Sequence, residues 1–382
     1  MPKSIFIHLP IIVILFLGCK REHQGKSDKT SKISTSSNKI LEEIQLPPGF
    51  KIEVFANNLT EPRSLSIGDN GTVFFSNRTK GNVFALKDFN NDHKPDTLYT
   101  IATGLTSPNG IVYWEDDLYI AETSKISVIH KINEKLGHTA ELFPLFNGMP
   151  GDYMHGWRYI GFGPDAKLYV SVGASCDSCE EPEEYANIIR LNADGTNKEI
   201  VAAGIRNSVG FDWHPVSGKL WFSENGCDEL GDSIPPDEIN IISEKNGHYG
   251  FPYKYGSNIY SKDLEAPEIK FTDPKFELPS HVAPLGIHFY RGNMFPSNYR
   301  NQLFICEHGS RKLEKKRGYR ITLLEIDSAY QVSKYSVFAS GWLNEENQRI
   351  HGRPVDMKEL PDGSLLISDD FANVIYRISY SE

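Results

Sequence analysis

Between Ile44 and Tyr380 one pattern recurs six times, and a chain that repeats itself this way has few folds open to it. Each unit has a strand opening after a small polar cluster, a tight polar turn, a second strand ending in polar residues, and usually a third strand with alternating Ile or Leu. The hairpins read PRSLSIGDNGTVFFSN, SPNGIVYWEDDLYIAE, HGWRYIGFGPDAKLYVSVG, RNSVGFDWHPVSGKLWFSEN, PLGIHFYRGNMFPSNYRNQLFICEHG and RPVDMKELPDGSLLISDD. Apolar alternation bounded by turn formers marks short antiparallel strands. In the fourth unit it predicts strands over residues 209–214 and 219–223. Each small sheet is apolar on both faces and must stack on neighbours, so the repeat predicts an all-β, six-bladed β-propeller. Six units take roughly 55 residues each, above the ~40–50 of common propeller repeats, and the surplus lies in long loops of units three to five. A β-sandwich would leave unexplained why polar residues return at the same two places.

Those two places define a candidate site. In a hairpin the start of the first strand and the end of the second lie at one end, so one rim of the ring should gather them. They are Arg63, Asn77 and Arg78; Asn109 and Glu122; His155 and Arg158; Arg206, Asn207, Glu224 and Asn225; Glu307, His308 and Arg311; Arg353, Asp369 and Asp370. Polar loops at a rim are ordinary. Several convergent Arg with a His are less so, because the guanidinium fork suits carboxylates and phosphates. The expected ligand is anionic or carries an anionic cofactor.

The globular part is preceded by two segments of another kind. Lys3 stands before an apolar run over residues 5–17, too short to span a bilayer comfortably, and Phe16-Leu17-Gly18-Cys19 follows. This resembles a bacterial lipoprotein leader over residues 1–18, with Cys19 as the lipidated residue; a plain secretory leader with an incidental Cys is the alternative. Residues 19–43, rich in Ser, Thr and Lys, form the expected flexible tether to a propeller over 44–382. The chain is thus expected to be exported and lipid-anchored to a bacterial membrane, on its periplasmic or cell-surface face. Forty Lys and Arg against 50 Asp and Glu leave a net charge of −10, which argues against a general nucleic-acid binder. Five Cys are too few for a disulfide scaffold.

The motifs together carry a family resemblance. LPPGF at 46–50, H-x-x-R at 155–158, RN-x-x-G at 206–210, SENG at 223–226, PPDEIN at 235–240, NGHYGFPY at 246–253, EHGS at 307–310, and GRPVD with SDDFANVIYRI near the C-terminus resemble the pyrroloquinoline quinone (PQQ) dependent glucose/sorbosone dehydrogenase family. The likeness is closer to the sorbosone-type branch than to the soluble glucose enzymes. It implies oxidation of a sugar by hydride transfer to PQQ, a planar tricarboxylate, assisted by Ca²⁺, with a separate electron acceptor. His155 aligns with the catalytic base, and Arg158 follows it as a support. Arg206 and Asn207 match the cofactor-contacting pair, Asn109 and Arg353 match positions approaching the same ligand, and Asn225 and Arg311 join them on the rim. The main-chain carbonyls of Gly226 and Cys227 match those that hold the Ca²⁺. Two departures stand out: Ala174 replaces an acidic residue that orients the His in the soluble glucose enzymes, and Cys227 stands where a basic residue is common.

Three features lie outside this frame. Asp88, Asn90, Asp92 and Asp96 occupy positions one, three, five and nine of a loop, a spacing that suits a structural Ca²⁺, although His93 stands where Gly is usual. Cys176 and Cys179 in an exported chain suggest a local disulfide. Cys227 and Cys306 could pair or stay free. Two other functional classes fit the same fold: a Ca²⁺-dependent lactonase or other hydrolase, and a non-catalytic carbohydrate- or protein-binding propeller.

Overall fold

The computed structural model describes residues 1, 31–32, 39–138 and 140–382. The leader, Cys19 and most of the tether lie outside the described residues. Six four-stranded antiparallel blades are set round an axis; the first five run outward in chain order, and the sixth takes its outer strand from the start of the globular part. The first three blades begin with Leu65–Ile67, Ile111–Trp114 and Ile160–Phe162, and the next three with Phe211–Trp213, Pro284–Phe289 and Pro354–Glu359. These inner strands touch round much of the ring. Two blades depart from the plain pattern. The first is extended at its edge by Ser31–Lys32, and the third by Gly247–His248, which runs parallel to Glu199–Ala203. In the fourth blade the two strands predicted from the alternation are Phe211–Trp213 and Leu220–Glu224, in register through Phe211 and Phe222.

The core consists of six apolar seams, one between each pair of neighbouring blades. The period of two explains how one strand serves two seams: Phe74 packs toward Ile111, Leu118 and Ile120 of the second blade, whereas Val73 and Phe75 pack toward Leu366 and Ile375 of the sixth. Buried serines stitch three of the seams. Ser76 Oγ donates to the Asn109 carbonyl at 2.6 Å, Ser223 Oγ to Leu285 at 2.7 Å, and Ser368 Oγ to Arg63 at 2.6 Å. The serines of SN, SEN and SDD are therefore structural donors.

The final unit supplies only three strands of the last blade. Its outer strand is Phe50–Ala56, paired antiparallel with Val374–Tyr380 from Phe50 opposite Tyr380. The Phe50 ring lies 4.8 to 5.1 Å from Phe295, Tyr299, Phe338 and Tyr380, so the LPPGF stretch locks the two ends of the chain together.

The structure bears on two further readings of the sequence. In the loop at 88–96, Asp88 accepts the backbone N–H groups of Asn90, Asn91 and His93, Asp92 accepts that of Lys94, and Asp96 that of Phe89. The loop closes on its own backbone, and its carboxylates do not converge as metal ligands; among the described residues the only such grouping of His, Cys, Asp and Glu is Cys176, Cys179 and Glu181. Cys227 and Cys306 are both free and buried in separate clusters, so they do not pair. Cys176 and Cys179 do form a disulfide.

Phe55, buried in the seam that closes the ring, tests the dependence on closure. Phe55→Ala should cost about 3–5 kcal/mol in chemical denaturation, with a single unfolding transition lost from all blades together.

Candidate functional site

At one end of the axis the hairpin ends surround a cavity of about 460 Å³. Its wall takes Arg63 and Arg78 from the first blade, His155 and Trp157 from the approach to the third, and Arg206, Asn207 and Asn225 from the fourth. His308 of the fifth and Arg353 of the sixth complete the circle. Leu285 lies in its floor, packed with Val209 and Val355.

His155 has the geometry of a base. Its backbone sits at φ 47°, and a Cβ on Gly173 would come within 2.5 Å of the His155 Cβ, so the glycine of SVG makes room for it. Nδ1 lies 2.9 Å from the Ala174 carbonyl. A carbonyl only accepts, so Nδ1 carries the proton and Nε2 keeps a lone pair. Burial, and then the Arg206 guanidinium, lower the imidazole pKa to about 4, so the ring is neutral at ordinary pH. The substitution by Ala174 thus leaves the His oriented, by main chain where a carboxylate would otherwise serve.

The cations divide by their partners. Arg63 pairs with Asp370 at 2.7 Å, and Asp370 also meets His308 Nε2 at 2.9 Å; despite burial, His308 and Arg63 hold the Asp370 carboxyl far below the usual range. Arg206 pairs with Asp177 and donates to the Asn225 carbonyl at 3.1 Å. Arg353 donates only to the carbonyls of His308 and Gly309, at 3.2 and 3.1 Å, and Arg78 lies 4.2 Å over the Trp157 ring. Among the described residues neither Arg78 nor Arg353 has a carboxylate partner. Burial, with Arg63 nearby, lowers the Arg78 pKa to about 10, and burial lowers that of Arg353. A bound anion would offset both penalties.

Several rim residues named from sequence point elsewhere. Arg158 is buried behind His155, where it donates to the carbonyls of Thr123, His155 and Pro150 at 2.9, 3.1 and 2.8 Å. It fixes the backbone that carries His155 and does not line the cavity, a correction to its place among catalytic groups. Asn109 likewise lies beneath the cavity, accepting from Arg63 Nε at 3.2 Å and donating to the Arg158 carbonyl at 3.3 Å. Arg311 stands exposed at the mouth, 4.0 Å from Asp228. Asn225 lines the cavity but spends its amide on the carbonyls of Asn207 and Pro284. Asn77, Glu122, Glu307 and Asp369 all serve backbone or neighbouring side chains.

Oxygen donors gather in two places. Gly226 lines the cavity, and among the described residues no hydrogen bond is made to its carbonyl or to that of Cys227. Behind the wall, Glu224 and Glu238 are cross-strand partners, both buried. Glu224 Oε2, Asn207 Oδ1 and Asn240 Oδ1 are buried without partners. Burial and the neighbouring Glu238 push the Glu224 carboxyl well up, and burial pushes that of Glu238 to about 7. Both sets suit a hard cation.

Tyr153 and Trp157, two residues either side of His155, also line the cavity, as do Asp177, Asp228 and Lys312. The aromatic pair flanking the base was visible in GDYMHGW. The others sit on irregular loops, and nothing in their local sequence marks them.

A family model described as Glucose / Sorbosone dehydrogenase matches residues 59–376. The chain is 41% identical over 367 residues to an uncharacterized protein of Borreliella burgdorferi, covering 92% of this chain and 95% of that one. It is 28% identical over 125 residues to a pyrroloquinoline quinone-dependent sugar dehydrogenase of Hypocrea jecorina, covering 24% of this chain and 29% of that one. Among solved structures, the holo PQQ domain of pyranose dehydrogenase from Coprinopsis cinerea superposes with a TM-score of 0.73 at 17% identity, over 88% of this chain and 97% of that one. At that identity the likeness is one of fold.

The His155 pKa, lowered from 6.5 to about 4, carries a signed consequence. Between those values the unfolded chain binds the proton that the folded site refuses, so this group costs stability as pH falls. Wild type should therefore lose stability relative to His155→Gln from about pH 6.5 down to about pH 4, and run parallel to it above pH 7, in denaturant titrations across that range.

Proposed function

The chain belongs to the glucose/sorbosone dehydrogenase family, and on that premise we propose that it is an exported sugar dehydrogenase using PQQ and Ca²⁺. The observation that carries this reading is one cavity holding both a neutral His155 with a free Nε2 and two guanidiniums, Arg78 and Arg353, without carboxylate partners. The residues fit the tricarboxylate cofactor: Arg78, Arg353 and Arg206 offer charge, and Asn207 Oδ1 is buried and unmatched. When bound, PQQ supplies an electrophilic carbonyl able to accept a hydride.

The chain's own part follows from its groups. His155 Nε2 takes the proton of the substrate hydroxyl, Ala174 holds the opposite nitrogen, and Arg158 fixes the backbone between them. Gly226 and Cys227 would hold the cofactor's Ca²⁺ through their carbonyls, and Glu224 with Glu238 offers a second, buried oxygen set. Leu285 in the floor and Trp157 and Tyr153 in the wall present apolar surface to a sugar ring. Electrons pass to a separate acceptor. Lipid on Cys19 would tether the protein to the membrane through the Ser- and Lys-rich segment. A lactonase would need carboxylates converging on a metal at the cavity, whereas Asp177, Asp228 and Asp237 are taken up by Arg206, Lys312 and backbone N–H groups.

The test is titration of metal-stripped protein with PQQ and Ca²⁺, followed by absorbance and by dye reduction with a panel of aldoses. His155→Asn should lower turnover at least about 100-fold while leaving PQQ affinity within about threefold. Arg353→Ala should weaken PQQ about tenfold or more, since it removes hydrogen bonds to a charged group. Absence of Ca²⁺-dependent PQQ binding by wild type would overturn the proposal.

A further inference from the structure

The stretch from Ala174 to Glu181 does more than connect two strands. Ala174 gives its carbonyl to His155 Nδ1, while its N–H donates to the Arg206 carbonyl at 2.8 Å. Three residues on, Asp177 grips the Arg206 side chain twice: its carbonyl accepts from Nε at 2.8 Å, and its carboxylate pairs with the terminal nitrogen. The same carboxylate accepts the Asp228 N–H at 3.1 and 3.2 Å, bridging to the loop after the fourth blade's second strand. Burial would raise the Asp177 pKa, but Arg206 and that N–H hold it below the ordinary value.

The loop is tied on every side. The Cys176–Cys179 disulfide closes round Asp177 and Ser178. Ser178 Oγ meets Tyr255 Oη at 2.6 Å, and the Ser175 hydroxyl donates to Glu181 Oε2 at 3.3 Å. A four-residue ring with an acid inside it is rigid where a free surface loop would not be. The acid is also placed where its charge counts. The charged groups that bear on His155 are Arg206, which disfavours the imidazolium, and Asp177 and Asp228, which favour it; Arg158 on its own segment touches only the His155 carbonyl, and Arg353 and His308 stand across the cavity.

We propose that Asp177 is a positioning residue of this site: held in a loop closed by the Cys176–Cys179 bridge, it aims the Arg206 guanidinium and balances its charge beside His155. It thereby takes up, from a different place in the chain, the electrostatic part of the duty left open at Ala174. The proposal rests on the dehydrogenase reading for its consequence, but its first readout does not.

The experiment uses the full chain without cofactor, following the His155 ring by NMR across pH in wild type, Asp177→Asn, Asp177→Glu and the Cys176→Ser/Cys179→Ser pair. Loss of a nearby opposite charge should lower the His155 titration midpoint in Asp177→Asn by about one pH unit. Asp177→Glu should restore part of that change. The double Ser variant keeps the charge but frees the loop that holds it, so it should lower the midpoint by less than Asp177→Asn does. PQQ titration of the same proteins should show affinity weakened about tenfold in Asp177→Asn and less in the double Ser variant, because a charge-assisted hydrogen bond is lost only in the first. An unchanged His155 midpoint in Asp177→Asn, with the protein folded by circular dichroism, overturns the proposal. Failure of wild type to bind PQQ would overturn the dehydrogenase reading alone, since the His155 titration still reports on Asp177.

Discussion

A sheet that is apolar on both faces can rest only when each face is covered, and six such sheets cover one another only if the ring closes. Closure here is made by backbone hydrogen bonds between Phe50–Ala56 and Val374–Tyr380, and by the Phe50 ring lodged among aromatics of the last two blades. The entropy of joining segments more than 300 residues apart grows only slowly with length, so a seven-residue strand is enough when it also completes an apolar seam. The cavity inherits this dependence directly. Arg63 from the first blade meets Asp370 from the sixth across that seam, and the Ser368 hydroxyl donates to the Arg63 carbonyl beside it.

Within the ring, polar burial is arranged so that charge is either matched or suppressed. Arg63 and Arg206 each have a carboxylate, while Glu224 and Glu238, packed against each other, have their carboxyls raised toward the neutral form. Among the described residues Arg78, Arg158 and Arg353 have no carboxylate partner, the first stacked on Trp157 and the other two served by carbonyls. Of these, Arg78 and Arg353 are half-buried and line the cavity, where a bound anion would bring the missing charge. The same field keeps His155 neutral: desolvation and Arg206 both disfavour the imidazolium. The charge of an anion bound in the cavity and the protonation state of His155 would thus be coupled through one guanidinium.

Neighbouring residues of one motif divide their labour. In H-x-x-R, His155 faces the cavity and Arg158 turns behind it to hold three carbonyls, among them that of His155 itself. In RN, Arg206 is met by Asp177 and Asn207 hands its N–H to Glu224. Asn109, of the same chemical type and the same place in its hairpin, supports Arg63 from below. Rim position therefore selects polar residues without deciding which of them a ligand meets.

That division marks where sequence stops. Strand alternation and turn residues are local, and they were enough to count the blades, to place the hairpin of Phe211–Trp213 and Leu220–Glu224 to within two residues, and to bring His155, Arg206, Asn207 and Arg353 to one rim. The Cys176–Cys179 bridge followed from spacing together with the expectation of export. Three things waited for the tertiary structure: the strand that closes the sixth blade, the direction in which Arg158 and Asn109 point, and the meeting of Asp177 with Arg206. Each depends on contacts between segments distant in the chain. The spacing of Asp88, Asn90, Asp92 and Asp96 shows the same limit: a run of side-chain oxygens can serve a metal or its own backbone, and in this structure the path of the loop turns its N–H groups toward Asp88 and Asp92.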